Sequence, residues 1–171
     1  GIVYLSLWLI IGTIVFIAAE TALILGFLIT RKKRRKAEQA LLDEREMLYS
    51  LMDNLHEAVY FKDRHSKFIR GNVIDARLHG FPTPEDLVGK DDFDIHDPAL
   101  AKQFYNEEQD MMRSGISIID HEALIKAPNG EDMWVRYSKV PVKNREGEVV
   151  GLFGLAQDIT EKKRTEEMLK E

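Results

Sequence analysis

The clearest fold signal in the chain lies in residues 129–160, NGEDMWVRYSKVPVKNREGEVVGLFGLAQDIT. Residues 132–142 and 149–157 are rich in β-branched and aromatic side chains, and within the first run they alternate with polar ones. This composition and the period of two predict strands. The four residues Asn144-Arg145-Glu146-Gly147 favour a turn between the two runs. Because strands joined by so short a turn pair in an antiparallel hairpin, we expect antiparallel sheet here.

Three further strands are predicted before this hairpin. Residues 116–126 precede the turn at Pro128-Asn129-Gly130, which connects them to the first strand of the hairpin. Residues 58–63 and 67–72 form another pair around a three-residue turn. The chain therefore carries five strands whose sequence neighbours pair antiparallel.

Short helices are predicted between the two groups of strands. Residues 73–79 form the first, and Thr83 is an N-cap for a second that has Pro84 at its first position. The pair Asp97-Pro98 repeats this start signal for a longer helix that stops before Gly115. Helices grouped on one face of an antiparallel sheet make an α+β domain.

Two segments carry a family likeness. VGKDDFDIHDPALAKQFYNEEQDMM, residues 88–112, resembles the middle helices of a PAS domain, and residues 129–167 resemble the last two strands with the closing Asp-Ile-Thr motif. Trp134, Lys139-Val140-Pro141, Gly147, Gly151 and Asp158-Ile159-Thr160 stand at the spacing of that family. The resemblance covers residues 50–160. It implies a five-stranded antiparallel sheet with helices on one face, a cavity between them, a signal-input role and dimerisation through flanking helices.

The resemblance also identifies candidate site residues. Val135 and Tyr137 share one face of their strand, and by resemblance this face borders the cavity. Small Gly154 and Ala156 on the last strand either leave room for a ligand or let a helix pack closely. The candidate cavity residues are Tyr60, Phe104, Ile125, Val135, Tyr137, Leu152, Gly154 and Ala156, and the candidate signal-transmitting residues are Asp158, Ile159 and Thr160.

The N-terminal segment predicts a transmembrane helix. Residues 2–29 are almost all apolar, with Glu20 as the only charge, and as a helix they span roughly 42 Å against about 30 Å for a bilayer core. Basic residues remain on the cytoplasmic side of a span, so the chain after residue 36 is expected in the cytoplasm. The chain begins without Met and is expected to be part of a longer protein. The membrane-exit residues are Arg31, Lys32, Lys33, Arg34, Arg35 and Lys36.

A polar helix is expected to continue from the membrane to about Asn54. It contains no Pro or Gly, and its apolar residues follow a heptad seam. This seam packs either on a second copy of the chain or on the domain that follows, and the two arrangements are compatible. The seam residues are Ala37, Leu41, Leu48, Leu51 and Leu55.

The sequence argues against an enzyme. No cysteine is present, which excludes disulfides and the cysteine adduct of blue-light flavin domains. Neither His56-Glu57 nor His121-Glu122 has the Pro spacing of a kinase phosphoacceptor box, and no Gly-rich phosphate loop occurs. The helix after Asp97 has no His to bind haem iron, so haem is not expected. The acidic loop lacks the spacing of a calcium loop, so no metal site is expected either; its residues are Asp91, Asp92, Asp94, His96 and Asp97.

These observations predict a sensing and signal-transmitting module of a single-pass inner-membrane receptor. The expected segments are a span at 1–30, a basic exit and linker helix at 31–54, a PAS domain at 55–160, and an output linker at 161–171. The missing output is expected to be a histidine kinase that signals to a response regulator; a diguanylate cyclase is the alternative. A ligand-free dimerisation spacer is a further alternative. Expected partners are the membrane, a second copy and a small molecule. Nucleic acid is not expected, because outside the basic run 18 basic residues face 29 acidic ones.

Overall fold

The computed structural model describes the backbone of residues 2–169, and the side chains of residue 8 and residues 11–169. The chain forms two compact units that divide after Leu48. The helices are α1 (Ile2–Asp53), α2 (Val73–Leu78), α3 (Pro98–Ser114) and α4 (Thr160–Met168), with 3₁₀ turns at Pro84–Leu87 and Asp92–Asp94. The strands are β1 (Ala58–Asp63), β2 (Phe68–Gly71), β3 (Ile118–Lys126), β4 (Asp132–Lys143) and β5 (Val149–Asp158).

The first unit consists of α1 up to Leu48. Every side chain from Ile11 to Leu48 is exposed. By length and composition, α1 is the one helix in the described part of the chain that could cross a membrane. The hydroxyls of Thr21 and Thr30 donate to the carbonyls four residues earlier, at 2.7 and 2.8 Å, which satisfies these polar groups within the helix.

The second unit is built on a five-stranded antiparallel sheet in the order β2-β1-β5-β4-β3. The five predicted strands and their antiparallel pairing are confirmed. β5, the last strand, lies between β1 and β4. It therefore joins the pair β1–β2 to the pair β3–β4 in one sheet. Ala58 lies opposite Ala156, and Tyr60 lies opposite Gly154. The strand that leads to α4 is therefore central in the sheet.

Helices α2 and α3 and the two 3₁₀ turns pack on one face of this sheet. Asp97 caps α3 by accepting hydrogen bonds from the N–H groups of Ala99 and Leu100 at 3.0 and 3.1 Å, and Gly115 ends the helix with a left-handed φ of 72°. The core between these helices and the sheet includes Ala76, Leu87, Phe104, Met111, Ala123, Met133, Val135, Leu152 and Ala156.

Candidate functional site

A cavity of about 40 Å³ lies between the inner face of the sheet and the helices. This volume holds about two or three water molecules. Every strand of the sheet contributes to its wall, together with the C-terminal end of α2, the second 3₁₀ turn and its following loop, and α3. The lining residues are Tyr60, Lys62, Phe68, Leu78, His79, Asp92, His96, Phe104, Ile125, Val135, Tyr137, Lys139 and Ala156.

Six of the eight candidate cavity residues line this space, namely Tyr60, Phe104, Ile125, Val135, Tyr137 and Ala156. Leu152 is instead fully buried in the apolar core. Gly154 lies beneath the ring of Tyr60, and a Cβ at Gly154 would overlap that ring. The small residue at position 154 thus makes room for a side chain of the protein. That the cavity binds a ligand stays a prediction.

A cluster of four buried charged side chains borders the cavity. Lys62 Nζ donates to both carboxylate oxygens of Asp92, at 2.8 and 2.7 Å, and to Glu108 Oε1 at 2.9 Å. Lys139 Nζ donates to the same Glu108 oxygen at 2.7 Å. The four side chains are at most 5% exposed. Charges so deeply buried persist only when they are paired, and here two ammonium groups balance two carboxylates.

The electrostatics of the cluster follow from this pairing. Burial by itself would raise the pKa of Glu108, but the positive charges and hydrogen bonds of Lys62 and Lys139 lower it to about 2. Burial raises the pKa of Asp92, against the effect of Lys62. Burial opposes the charged form of Lys62, yet Glu108 and Asp92 raise its pKa. Lys62 and Glu108 are therefore charged at neutral pH.

Sequence reasoning missed this cluster, although the period of two contains the signal. Lys139 stands two residues after Tyr137, and Lys62 stands two residues after Tyr60, so both lysines share the faces already assigned to the cavity. Glu108 comes four residues after Phe104 on α3 and falls on the same helix face. Lysine and glutamate at inward positions were the observable clue.

Two histidines also line the cavity. The ring of His79 packs edge-on against the rings of Phe68 and His96, at 5.9 and 5.4 Å between centroids. Burial and the nearby His79 lower the pKa of His96 to about 3, so His96 is neutral at physiological pH. His79 Nε2 lies 3.4 Å from Asp75 Oδ1, a separation that is long for a hydrogen bond.

The acidic loop uses its carboxylates for structure. Asp92 belongs to the buried cluster, and Asp97 caps α3. Asp91 accepts a hydrogen bond from the N–H of Phe93 at 3.0 Å, and Asp94 accepts one from the N–H of Asp91, also at 3.0 Å. His96 from this loop points instead to the cavity.

The candidate signal-transmitting residues lie where β5 becomes α4. Asp158 Oδ1 accepts from the N–H and the hydroxyl of Thr160, at 2.8 and 2.6 Å. The Thr160 hydroxyl in turn accepts from the N–H of Trp134 at 3.0 Å, and the N–H of Ile159 donates to the carbonyl of Trp134 at 2.8 Å. Ile159 is buried. The start of α4 is thus fastened to β4 as well as to β5.

The outer face of the sheet carries a second charged group beside this junction. Lys163 of α4 pairs with Glu122 of β3 at 2.5 Å and lies 5.2 Å from the centre of the Trp134 ring. Glu122 is also 3.8 Å from Arg136. Lys163 is the largest cause that lowers the pKa of Glu122. These contacts hold α4 against the outer face of β3 and β4.

Comparison with known proteins gives one family. The sequence profile of the PAS fold matches residues 52–164. A diguanylate cyclase of Vibrio cholerae is 31% identical over 114 residues, which cover 65% of this chain and 35% of the relative. The aerobic respiration control sensor protein ArcB of Escherichia coli is 27% identical over 122 residues, which cover 71% of this chain and 15% of ArcB. This chain therefore spans about a third or less of these relatives.

Solved structures give the same fold. The Vibrio cholerae VqmA dimer, a LuxR-type receptor studied in the absence of its target DNA, is 25% identical and superposes with a TM-score of 0.61. The match covers 68% of this chain and 52% of VqmA.

Proposed function

The chain belongs to the PAS fold family, and from this membership we propose that it is the signal-input and signal-transmitting module of a transmembrane receptor. Its relatives include sensor kinases and diguanylate cyclases, in which the matching segment is a small part of a longer chain. In this proposal the cavity receives the signal, and α4 passes it to an output domain that follows.

The register between β4 and β5 is the observation that carries the proposal. Val135 lines the cavity and lies directly opposite Asp158 in the sheet. The backbone of the preceding residue, Trp134, forms hydrogen bonds with the N–H of Ile159 and with the hydroxyl of Thr160. Because strands in a ladder move together, a displacement of β4 at the cavity wall changes the hydrogen bonds at the start of α4. A helix of this length and polarity is marginal by itself, so such a change shifts its position or its stability.

We favour a histidine kinase as the output, with a response regulator as its partner. The methanogenesis regulatory histidine kinase FilI of Methanothrix harundinacea and the sensor protein ArcB support this choice, since each has a segment that matches this chain. A diguanylate cyclase is the alternative, and the 31% identity with the Vibrio cholerae enzyme supports it. VqmA acts on DNA, but this chain covers about half of VqmA, and the acidic balance outside the basic run disfavours binding to phosphates.

The membrane part of the proposal rests on α1. We propose that residues 1–30 span the inner membrane, that residues 31–54 form the basic exit and a linker that dimerises, and that the domain at 55–160 lies in the cytoplasm with its output linker at 161–171. The apolar, exposed side chains and the basic run after them support this topology. A reporter enzyme that works only in the cytoplasm should be active when it is fused after residue 171. Activity of a reporter that works only in the periplasm, fused at the same position, would contradict this orientation.

Substitution at the junction tests signal transmission. In the full-length protein, Asp158→Ala removes the acceptor for the N–H of Thr160 and should cost about 0.5–2 kcal/mol locally. The expected result is altered kinase or cyclase output from a domain that remains folded. Asp110→Ala is the matched control, because Asp110 is exposed and lies on α3 away from the junction. Output that falls only in proportion to the folded fraction would contradict the signalling role.

A ligand-free dimerisation spacer is the second candidate function. The small volume of the cavity and the internal pairing of its charges favour it. In that case the chain would relay motion from α1 to α4 without binding a molecule, and the Asp158→Ala result would still hold. Binding of a small molecule in the cavity would contradict this candidate.

A further inference from the structure

We propose that the cavity takes a small uncharged molecule that presents a hydrogen-bond acceptor to the ammonium group of Lys139. This inference rests on the proposed function, since it names the chemical class of the signal that the cavity would receive. It follows from three properties of the site: donors left over on one lysine, the charge balance of the cluster, and the shape of the wall.

Lys139 has hydrogen-bonding capacity directed at the cavity. Its side chain is 4% exposed, and Glu108 is its one hydrogen-bond partner among the side chains that the structure describes. An ammonium group has three N–H donors, so two are left. Nζ lies 4.6 Å from the ring centre of Phe104 and 5.2 Å from that of Tyr137, and these ring faces stabilise the charge without accepting the donors fully. A ligand acceptor atom would complete its coordination.

Lys62, the other ammonium group, has no such capacity. Its contacts to Asp92 Oδ1, Asp92 Oδ2 and Glu108 Oε1, all within 2.9 Å, account for its three donors. The two lysines therefore differ: Lys62 holds the 3₁₀ turn and α3 against β1, while Lys139 is the member of the cluster able to bind something else.

Charge balance selects an uncharged ligand. Two ammonium groups and two carboxylates sum to zero when all are ionised. An anion would leave the buried site with net negative charge and a cation with net positive charge, and either excess is disfavoured away from water. His96 does not offset an added anion, since burial and its neighbours keep it neutral.

The wall selects a flat, compact molecule. Tyr60, Phe68, Phe104 and Tyr137 surround the space, with centroid separations of 5.6 Å for Tyr60–Phe68 and 5.5 Å for Phe104–Tyr137. Aromatic faces favour planar groups. A volume of about 40 Å³ admits only a few non-hydrogen atoms.

Three isosteric probes test the charge rule: acetamide, acetate and acetamidinium share a planar shape and differ in charge. The full chain in lipid nanodiscs, labelled at isoleucine methyl groups, is titrated with each probe up to about 100 mM, a range suited to so small a ligand. Ile125 lines the cavity and reports binding, whereas exposed Ile119 on the same strand is the control. Acetamide should shift the Ile125 methyl signal at a concentration at least about tenfold lower than either ion.

The variant Lys139→Met keeps the apolar stem and removes the donors. It should weaken acetamide binding by about tenfold, as expected for a lost charge-assisted hydrogen bond. Equal or tighter binding of acetate or acetamidinium to the unaltered chain overturns the charge rule and leaves the ligand-sensing function standing. If no probe shifts Ile125, the inference fails, and the proposed function is then decided by the Asp158→Ala test alone. Should Lys139→Met not fold, the probe series on the unaltered chain decides alone.

Discussion

The two faces of the central sheet carry similar charged groups in different surroundings. On the inner face, Lys62 and Lys139 meet Glu108 at 2.9 and 2.7 Å, almost without exposure. On the outer face, Lys163 meets Glu122 at 2.5 Å, and both side chains are about 30% exposed. The distances alone would rank the outer pair as the stronger. Burial reverses this order, because water screens the outer pair and cannot replace a lost partner inside.

The largest expected effect breaks the inner cluster. Glu108→Ala leaves Lys139 without its hydrogen-bond partner and removes one of the two carboxylates that balance the lysines. The free energy of unfolding should fall by about 3–5 kcal/mol, as for other buried pairs with one partner removed. Denaturant unfolding of the sheet domain, monitored by amide hydrogen exchange, measures this decrease in the free energy of unfolding. Asp110→Ala on the same helix is exposed and serves as control; equal losses in both variants would refute the comparison.

Lowering the pH should reduce the free energy of unfolding because of His96 on the inner side of the sheet. The pKa of His96 is about 3 in the folded chain and 6.5 in the reference state, so the unfolded state takes up a proton first as pH falls. The contribution of His96 to the free energy of unfolding is complete above pH 6.5 and declines as the pH falls towards 3. At pH 4 the free energy of unfolding should be lower by about 3 kcal/mol than above pH 6.5. Unfolding midpoints between pH 7 and pH 4 measure this slope.

His96→Phe keeps a ring beside Phe104 and should flatten the slope above pH 4.5. Below pH 4.5 the free energy of unfolding should continue to decline. The pKa of Glu108 is lowered from 4.5 to about 2, so the contribution of Glu108 is lost between these two pH values. The raised pKa of Asp92 acts in the opposite direction. A variant whose slope above pH 4.5 equals that of the unaltered chain would exclude His96 as the cause.

A smaller effect is expected for packing on the inner face. Gly154→Ala places a methyl group against the ring of Tyr60 and should cost about 1–3 kcal/mol. Combining it with Tyr60→Leu removes the overlap, so the double variant should lose less stability than the two single changes added together. Denaturant midpoints of the four proteins give the coupling energy. Strict additivity would show that Gly154 does not serve to accommodate the ring.

The smallest effect is expected on the outer face. Lys163→Met removes the charge from a partly exposed pair and keeps the stem beside Trp134. Stability of the sheet should not change measurably, since screened pairs contribute little. Hydrogen exchange of the α4 amides should nevertheless increase, because Lys163 fixes that helix to β3 and β4. A loss comparable with that of Glu108→Ala would remove the distinction between the two faces.

Much of the fold followed from local patterns. Runs of β-forming residues between turn signals predicted the five strands, and Asp97-Pro98 and Gly115 predicted the limits of α3. The period of two put Val135 and Tyr137 on one face, and the resemblance to PAS domains assigned that face to the cavity, whose wall both residues line. The same alternation puts Lys62 on the face of Tyr60 and Lys139 on the face of Tyr137, but lysine is rarely buried, and neither lysine was among the candidate cavity residues. The likeness to PAS domains supplied the helices-on-one-face arrangement and the cavity itself.

Local sequence patterns predicted the secondary-structure elements, their caps, the apolar helix followed by a basic run, and the likeness to one family. Each of these depends on residues a few positions apart. None of these patterns showed which charges pair, that Gly154 accommodates the Tyr60 ring, or that Trp134 joins β4 to the start of α4. Lys62 is separated from Asp92 by 30 residues and from Glu108 by 46. Such pairings arise when distant segments are buried together, and the energy that fixes them is desolvation, which no local pattern encodes.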